Sequence, residues 1–308
     1  MSSLASAPAI SVHRRLISRQ LSLLKAYVAL CKPRIIELLL ITTIPAMIVA
    51  KGGLPSAWLM LATLGGGSLA AGGANAINMV IDRDIDKLMV RTQKRPLVIG
   101  IISPMSALIF AIALEIGATI VLWLTVNPLS AILAESGMGF YVLVYTLWLK
   151  RHSKQNIVIG GAAGAVPVLV GWTAVTDHLA LVPILMFAIV FLWTPPHFWS
   201  LAIRYRDDYK IASVPMLPAV VSPKRTANQM IIYTLLLVAA SITIVPVAHL
   251  GWVYGAVALL SGAAFIYHVL RLRYDLTPKR SMKVFAYSIT YLTVLFVGMA
   301  VDVFVRIR

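Results

Sequence analysis

Asn78, Asp82 and Asp86 stand four residues apart in NMVIDRDID. On a helix that spacing lines an amide oxygen and two carboxylates along one face. Such hard oxygen donors suit Mg²⁺, which keeps several of its waters and shares phosphate oxygens. Asp84, between them, points about 160° away around the helix axis. A second acidic pair, Asp207 and Asp208, follows in RYRDDYK. Upstream of it Trp193, His197, Arg204 and Asp208 recur at intervals of four, seven and four, which predicts one helix face, and Pro195 and Pro196 are expected to bend that helix and open a cavity at His197. Asp208 joins Asn78, Asp82 and Asp86 as a candidate metal ligand, with Asp207 beside it as a further catalytic candidate. Cations stand close to both acidic segments: Lys32 and Arg34 in CKPR, Arg91, Lys94 and Arg95 in RTQKRP, and Arg204 and Lys210 around the second pair. Together they can bind a diphosphate and stabilise it as it leaves.

The elements that must position these groups are membrane helices. Hydrophobic residues make up 60% of the 308 residues, charged residues only 12%, and mean hydropathy is +0.88, so lipid is the solvent for most of the chain. Nine apolar runs are long enough to span, near 35–50, 57–81, 104–126, 128–149, 156–176, 179–203, 230–248, 250–270 and 284–305. Of the 27 Lys and Arg, all but Lys51, Arg306 and Arg308 then fall on one side. The positive-inside rule makes that side cytoplasmic, with the N-terminus inside and the C-terminus outside. Four spans separate the two acidic clusters, an even number, so both lie at the cytoplasmic face and can share one site.

The same topology accounts for the formal charge of +16 through short loops beside anionic lipid, without nucleic acid. The single cysteine, Cys31, excludes an intramolecular disulfide and a cysteine metal site. Residues 1–26 form a basic tail, expected to be disordered in the cytoplasm, with an organelle transit segment as the alternative, and residues 27–308 form one transmembrane domain. GGGSLAAGG (65–73) and GGAAGAVP (160–167) lack the lysine and hydroxyl of a phosphate loop and predict close helix packing. Glu115 and Glu135 fall on other spans and are expected to be buried structural acids, protonated or paired. Blander readings stand beside these: loop aspartates serve as solvated counter-charges, and a lone histidine is often simply packed in a core.

NMVIDRDIDKLMVRTQKRPL (78–97) resembles the first aspartate-rich motif of the intramembrane aromatic prenyltransferase superfamily, N-x-x-x-D-x-x-x-D. Within it, LCKPRI (30–35), DRDIDKLMVRTQKRPL (82–97), TPPHFWSLAIRYRDDY (194–209) and VPMLP (214–218) resemble the heme O synthases, over essentially the whole chain from about residue 27. The resemblance implies a nine-helix bundle that transfers the farnesyl group of farnesyl diphosphate to a vinyl group of heme b, giving heme O for terminal oxidases. It also implies Mg²⁺ on Asn78, Asp82, Asp86 and the second acidic segment. Arg91, Lys94 and Arg95 would neutralise the diphosphate, and His197 would orient heme by ligating iron or contacting a propionate. Heme A synthase or a terminal oxidase assembly would be further partners, in a bacterial plasma membrane or, second, the mitochondrial inner membrane. A prenyltransferase for a quinone precursor or chlorophyllide is the alternative; PPHFW with the acid-poor RYRDDY favours heme. A secondary transporter, the alternative from another class, would carry its ionisable groups near the midplane of broken helices rather than at one face.

Overall fold

The computed structural model describes residues 20–306, except for the side chains of residues 34–36 and 38–40. Arg34 and most of the basic tail therefore lie outside the described residues; from Gln20 the chain is already helical. Thirteen helices follow one another. They are α1 (Gln20–Leu30), α2 (Pro33–Lys51), α3 (Ala57–Ile81), α4 (Arg83–Leu88), α5 (Pro104–Thr125), α6 (Pro128–His152), α7 (Asn156–Thr176), α8 (Leu181–Arg204), α9 (Arg206–Ile211), α10 (Leu217–Val220), α11 (Pro223–Val247), α12 (Trp252–Tyr274) and α13 (Pro278–Arg306). No strand occurs among the described residues. Eight of these helices, α3, α5 to α8 and α11 to α13, are long and apolar enough to cross a membrane. Helix α2, 19 residues long, packs among them against α3, α7 and α13. Large apolar side chains such as Trp58, Leu61, Leu124 and Leu260 stay exposed on the outer faces, as expected where hydrocarbon replaces water.

Hydropathy locates the spans better than their ends. Helix α11 begins seven residues before its apolar run, because Ser222 accepts the Arg225 N–H and Pro223 occupies the first turn, a polar start that carries no hydropathy signal. Helix α6 contains ten residues of π-helix, Phe140–Leu149, that no apolar pattern announces.

The two small-residue stretches do pack helices closely. Gly66, Gly72 and Gly73 admit α5 side chains and Cys31 against α3, and Gly161 lies against Thr194 of α8. One close approach is backbone to backbone: a Cβ on Gly171 of α7 would lie 2.6 Å from the Thr43 carbonyl oxygen in α2. Gly171→Ala is expected to destabilise the protein by about 1–3 kcal/mol, because neither backbone can yield without moving a helix. Thermal unfolding of the purified variant measures it.

Glu115 is buried in α5 beside Gly73, and Glu135 lies within 2.7 Å of the Thr119 hydroxyl, away from both acidic segments. At the end of the bundle opposite those segments, Asp302 accepts the Gly251 and Tyr254 N–H groups at 2.7 and 3.1 Å and pairs with Arg306 at 2.8 Å. It thereby caps α12 from α13.

Candidate active site

Helix α3 ends at Ile81, and Asp82 caps both it and the short α4. The four-residue register survives this junction, since Asp82 N–H bonds the Asn78 carbonyl at 2.9 Å and Asp86 N–H bonds the Asp82 carbonyl at 2.8 Å. Asn78, Asp82 and Asp86 thus share one face and are all buried, while Asp84 faces outward and is held by Arg151 through two contacts of 2.8 Å. The Arg151 guanidinium draws the Asp84 carboxyl down to about 2.

Three cations converge on the buried face. Lys150 pairs with Asp82, Arg95 pairs with Asp86 at 2.5 Å, and Lys32 donates to the Asn78 side-chain oxygen at 2.8 Å. The Asn78 amide donates to Asp82 Oδ2 at 2.7 Å and to the Thr146 hydroxyl at 3.1 Å, so its orientation is determined on all sides. In this arrangement Asn78 orients Asp82, and its oxygen reaches a metal only when Lys32 moves away. Thr146 and Lys150 arrive through the π-helical part of α6, where the Thr146 hydroxyl bonds the Tyr141 carbonyl five residues back at 2.9 Å. The wider turn places Tyr141 and Tyr145 in a stack, centroids 5.5 Å apart, facing the same region. Three cations against two buried carboxylates leave a local positive excess, with burial and the neighbouring Arg95 and Lys150 pulling the Lys32 ammonium down to about 7. Such a site favours a multiply charged anion.

The second acidic segment lies alongside. Helix α8 stops at Arg204, Tyr205 breaks it, and Asp207 and Asp208 open the separate helix α9. Arg91 lies 5.9 Å over the Tyr205 ring and close to Tyr209. Tyr209, Ile85 and Met89 belong to one buried core. The break corrects the single face expected for Trp193, His197, Arg204 and Asp208: the repeat of four, seven and four needs an unbroken helix, and the chain changes direction between its third and fourth members. A second correction concerns the proline pair. Pro195 and Pro196 sit inside α8, and His197 is packed rather than cavity-lining, parallel to Trp193 and Phe285 at 4.1 and 4.6 Å and bonded to Ser288 at 2.7 Å.

Among the other candidates, Arg204 and Lys94 are exposed, and Lys210 pairs with Asp207 at 3.8 Å on the surface. None of the three belongs to the buried cluster, and Asp207, its side chain 89% exposed, does not either. Conversely, Lys150, Thr146, Tyr141, Tyr145 and Tyr209 belong to the site without having been singled out by spacing. Lys150 was legible only as a loop charge.

Among the described residues no three carboxylate or imidazole groups converge as a metal cage. In the two acidic segments Asp82 Oδ1 and Asp208 Oδ2 are nevertheless buried with no hydrogen-bond partner, as are both oxygens of Glu115, a carboxyl away from these segments. Unpartnered buried anionic oxygens are costly unless a cation arrives. Those of Asp82 and Asp208 fit Mg²⁺, which takes few protein oxygens when phosphate and water complete its shell.

The sequence model of the UbiA prenyltransferase family matches residues 39–295. The chain belongs to this family. Among UbiA relatives it is 52% identical over 286 residues to a protoheme IX farnesyltransferase of Pseudarthrobacter chlorophenolicus, covering 91% of this chain and 90% of that one. It is 51% identical over 288 residues to the protein of the same name from Streptomyces avermitilis, covering 92% and 94%. The UbiA fold is shared with a digeranylgeranylglyceryl phosphate synthase, TM-score 0.76 at 18% identity, covering 92% of this chain and 99% of that one. It is shared as well with a UbiA homologue from Archaeoglobus fulgidus solved with GPP and Mg²⁺, TM-score 0.61 at 16% identity, covering 89% and 99%.

Proposed function

We propose that this chain transfers the farnesyl group of farnesyl diphosphate to a vinyl group of heme b, giving heme O and diphosphate. The observation that carries the reading is the buried Asp82–Asp86 face with Lys32, Arg95 and Lys150 gathered on it, in a chain about half identical to protoheme IX farnesyltransferases. Bound Mg²⁺ would sit on Asp82 and Asp86, with Asn78 and Asp208 as further ligands, and would offset the diphosphate's charge. Arg95 and Lys150, released from their carboxylates, and Lys32, released from the Asn78 amide oxygen, then donate to the diphosphate, and Arg91 holds its outer side, as the C–O bond breaks and the electron pair leaves on oxygen. Lys94, Arg204 and Lys210 have a lesser part, guiding the anion from the surface, where Asp207 serves only as a partner of Lys210. The allylic cation adds to the vinyl carbon, and water captures the cation this leaves and gives up a proton to the released diphosphate, forming the hydroxyethylfarnesyl group. Apolar helices around the site keep other water out.

The remainder of the proposal concerns placement. Helix α2 is the ninth span, the N-terminus and both acidic segments face the cytoplasm, residues 27–308 act as one domain, and the membrane is a bacterial plasma membrane. The product passes to heme A synthase or a terminal oxidase.

Purified protein given heme b, farnesyl diphosphate and Mg²⁺ is expected to yield heme O by mass, and chelation is expected to stop the reaction. Transfer to a quinone precursor with none to heme b would refute the acceptor. His197→Ala is expected to weaken heme b binding at least tenfold and to leave farnesyl diphosphate binding unchanged, because imidazole can ligate iron and the allylic tail offers it no comparable partner. Loss of diphosphate binding alone would move His197 to the phosphate site.

A further inference from the structure

Asn75, only 4% exposed on α3, donates its side-chain amide to the Cys31 carbonyl at 3.3 Å. Cys31 and Lys32 are the two residues between α1 and α2. The peptide group that joins them is planar, and it is held on both edges. The Lys32 N–H donates to the Ala29 carbonyl at 3.3 Å, and the Cys31 carbonyl receives Asn75. Lys32 itself is left-handed, φ 50° and ψ 65°, directly ahead of Pro33. A residue with a side chain rarely adopts that conformation, and before a proline the extended region is preferred, so it persists only where the surrounding structure imposes it. Three residues further along α3, the Asn78 oxygen receives the Lys32 ammonium at 2.8 Å. The two asparagines lie on one side of the helix: the first holds the backbone from which the lysine side chain leaves, and the second meets its end. The approach there is close, since a Cβ on Gly72, about one turn before Asn75, would lie 3.3 Å from Cys31 Sγ.

We infer that Asn75 is a positioning residue: by holding the Cys31 carbonyl it fixes the left-handed turn at Lys32, and so aims the Lys32 ammonium at Asn78 and, once the diphosphate arrives, at that anion. A carbonyl only accepts, so the donor must be the Asn75 amide nitrogen. Without it the Cys31–Lys32 peptide is free to turn toward the extended region that a residue before proline prefers. The lysine stem is long and flexible, and a displaced root carries its ammonium away from the acidic face. The inference rests on Lys32 serving the diphosphate of the proposed reaction.

The test uses the full chain in lipid nanodiscs, labelled with nitrogen-15 at the lysine Nζ, alongside Lys32→Met, Asn75→Ala and Asn75→Leu. The leucine is close to asparagine in size and keeps the packing where alanine would leave a gap. In solid-state spectra of the substrate-free protein the Lys32 signal, identified by its absence in Lys32→Met, is expected to be that of an immobilised ammonium. In both Asn75 variants it becomes mobile. Affinity for pyrophosphate with Mg²⁺, measured by calorimetry, is expected to fall roughly 10- to 100-fold in Lys32→Met, by a similar factor in each Asn75 variant, and no further when Asn75→Leu is combined with Lys32→Met. An ammonium that stays immobilised in the Asn75 variants, or losses that multiply in the double variant, overturns the role of Asn75. Loss of folding in both Asn75 variants overturns it too, by making the residue a structural one. Unchanged pyrophosphate affinity in Lys32→Met overturns instead the reading that Lys32 serves the diphosphate, so the two failures are distinct.

Discussion

Asp82→Asn is expected to cut farnesyl transfer by about 10²- to 10³-fold while leaving the protein folded. Asp82 is fully buried, receives Lys150 on Oδ2 together with the Asn78 amide, and has Oδ1 unpartnered. An amide of the same shape keeps the packing and removes the charge that draws a cation to that oxygen. Asp86→Asn should behave alike, since Asp86 is equally enclosed and holds Arg95. Asp84→Asn is the internal control. Its partner Arg151 is a surface contact worth about 0–1 kcal/mol, so turnover should stay within about threefold. Turnover, Mg²⁺ dependence and thermal unfolding of the three variants make the comparison. Equal losses at all three positions would mean that the helical register across Asp82 does not govern catalysis.

Lys150→Met is expected to affect both stability and catalysis. Removing one member of a buried ion pair leaves the other uncompensated, and the expected loss is about 3 kcal/mol, because Asp82 would retain only the Asn78 amide as a donor. Turnover should fall by about 10²-fold as well, since the same ammonium is placed to meet the departing diphosphate. The two roles separate in the double variant Asp82→Asn with Lys150→Met, where no buried charge is stranded: unfolding temperature should recover and turnover should not. Lys154, exposed in the same connection, gives the comparison for a charge that serves topology alone, and its replacement should leave both quantities near the starting values.

The membrane class, the prenyltransferase family and the first acidic face were legible in the sequence because each is local or additive. Apolar runs of spanning length report their solvent directly. The Asn78–Asp82–Asp86 face depends only on helical periodicity, which survived the junction at Asp82 because both flanking hydrogen bonds keep a four-residue step. The same logic failed at the second motif. Periodicity assumes a continuous helix, and the sequence around Tyr205 carries no proline or glycine to announce that α8 stops there.

What the tertiary structure alone decided is which charges meet. Lys150 reaches Asp82 across 68 positions, Lys32 reaches Asn78 across 46, and His197 finds Ser288 across 91. No sequence spacing encodes these partnerships, because they follow from how whole helices pack: from glycines that let α7 approach α2 and α8, and from a π-helical stretch that turns Thr146 and Lys150 toward α3. In the sequence Lys150 is a loop cation like its neighbours, and Ser288 is one small polar residue in an apolar helix. The sequence by itself determined the solvent, the family and the acidic face, since these need only composition, motif and a helical period. Packing decided the counter-ions of that face and the orientation of His197, since burial makes each polar group seek a partner wherever the fold brings one near.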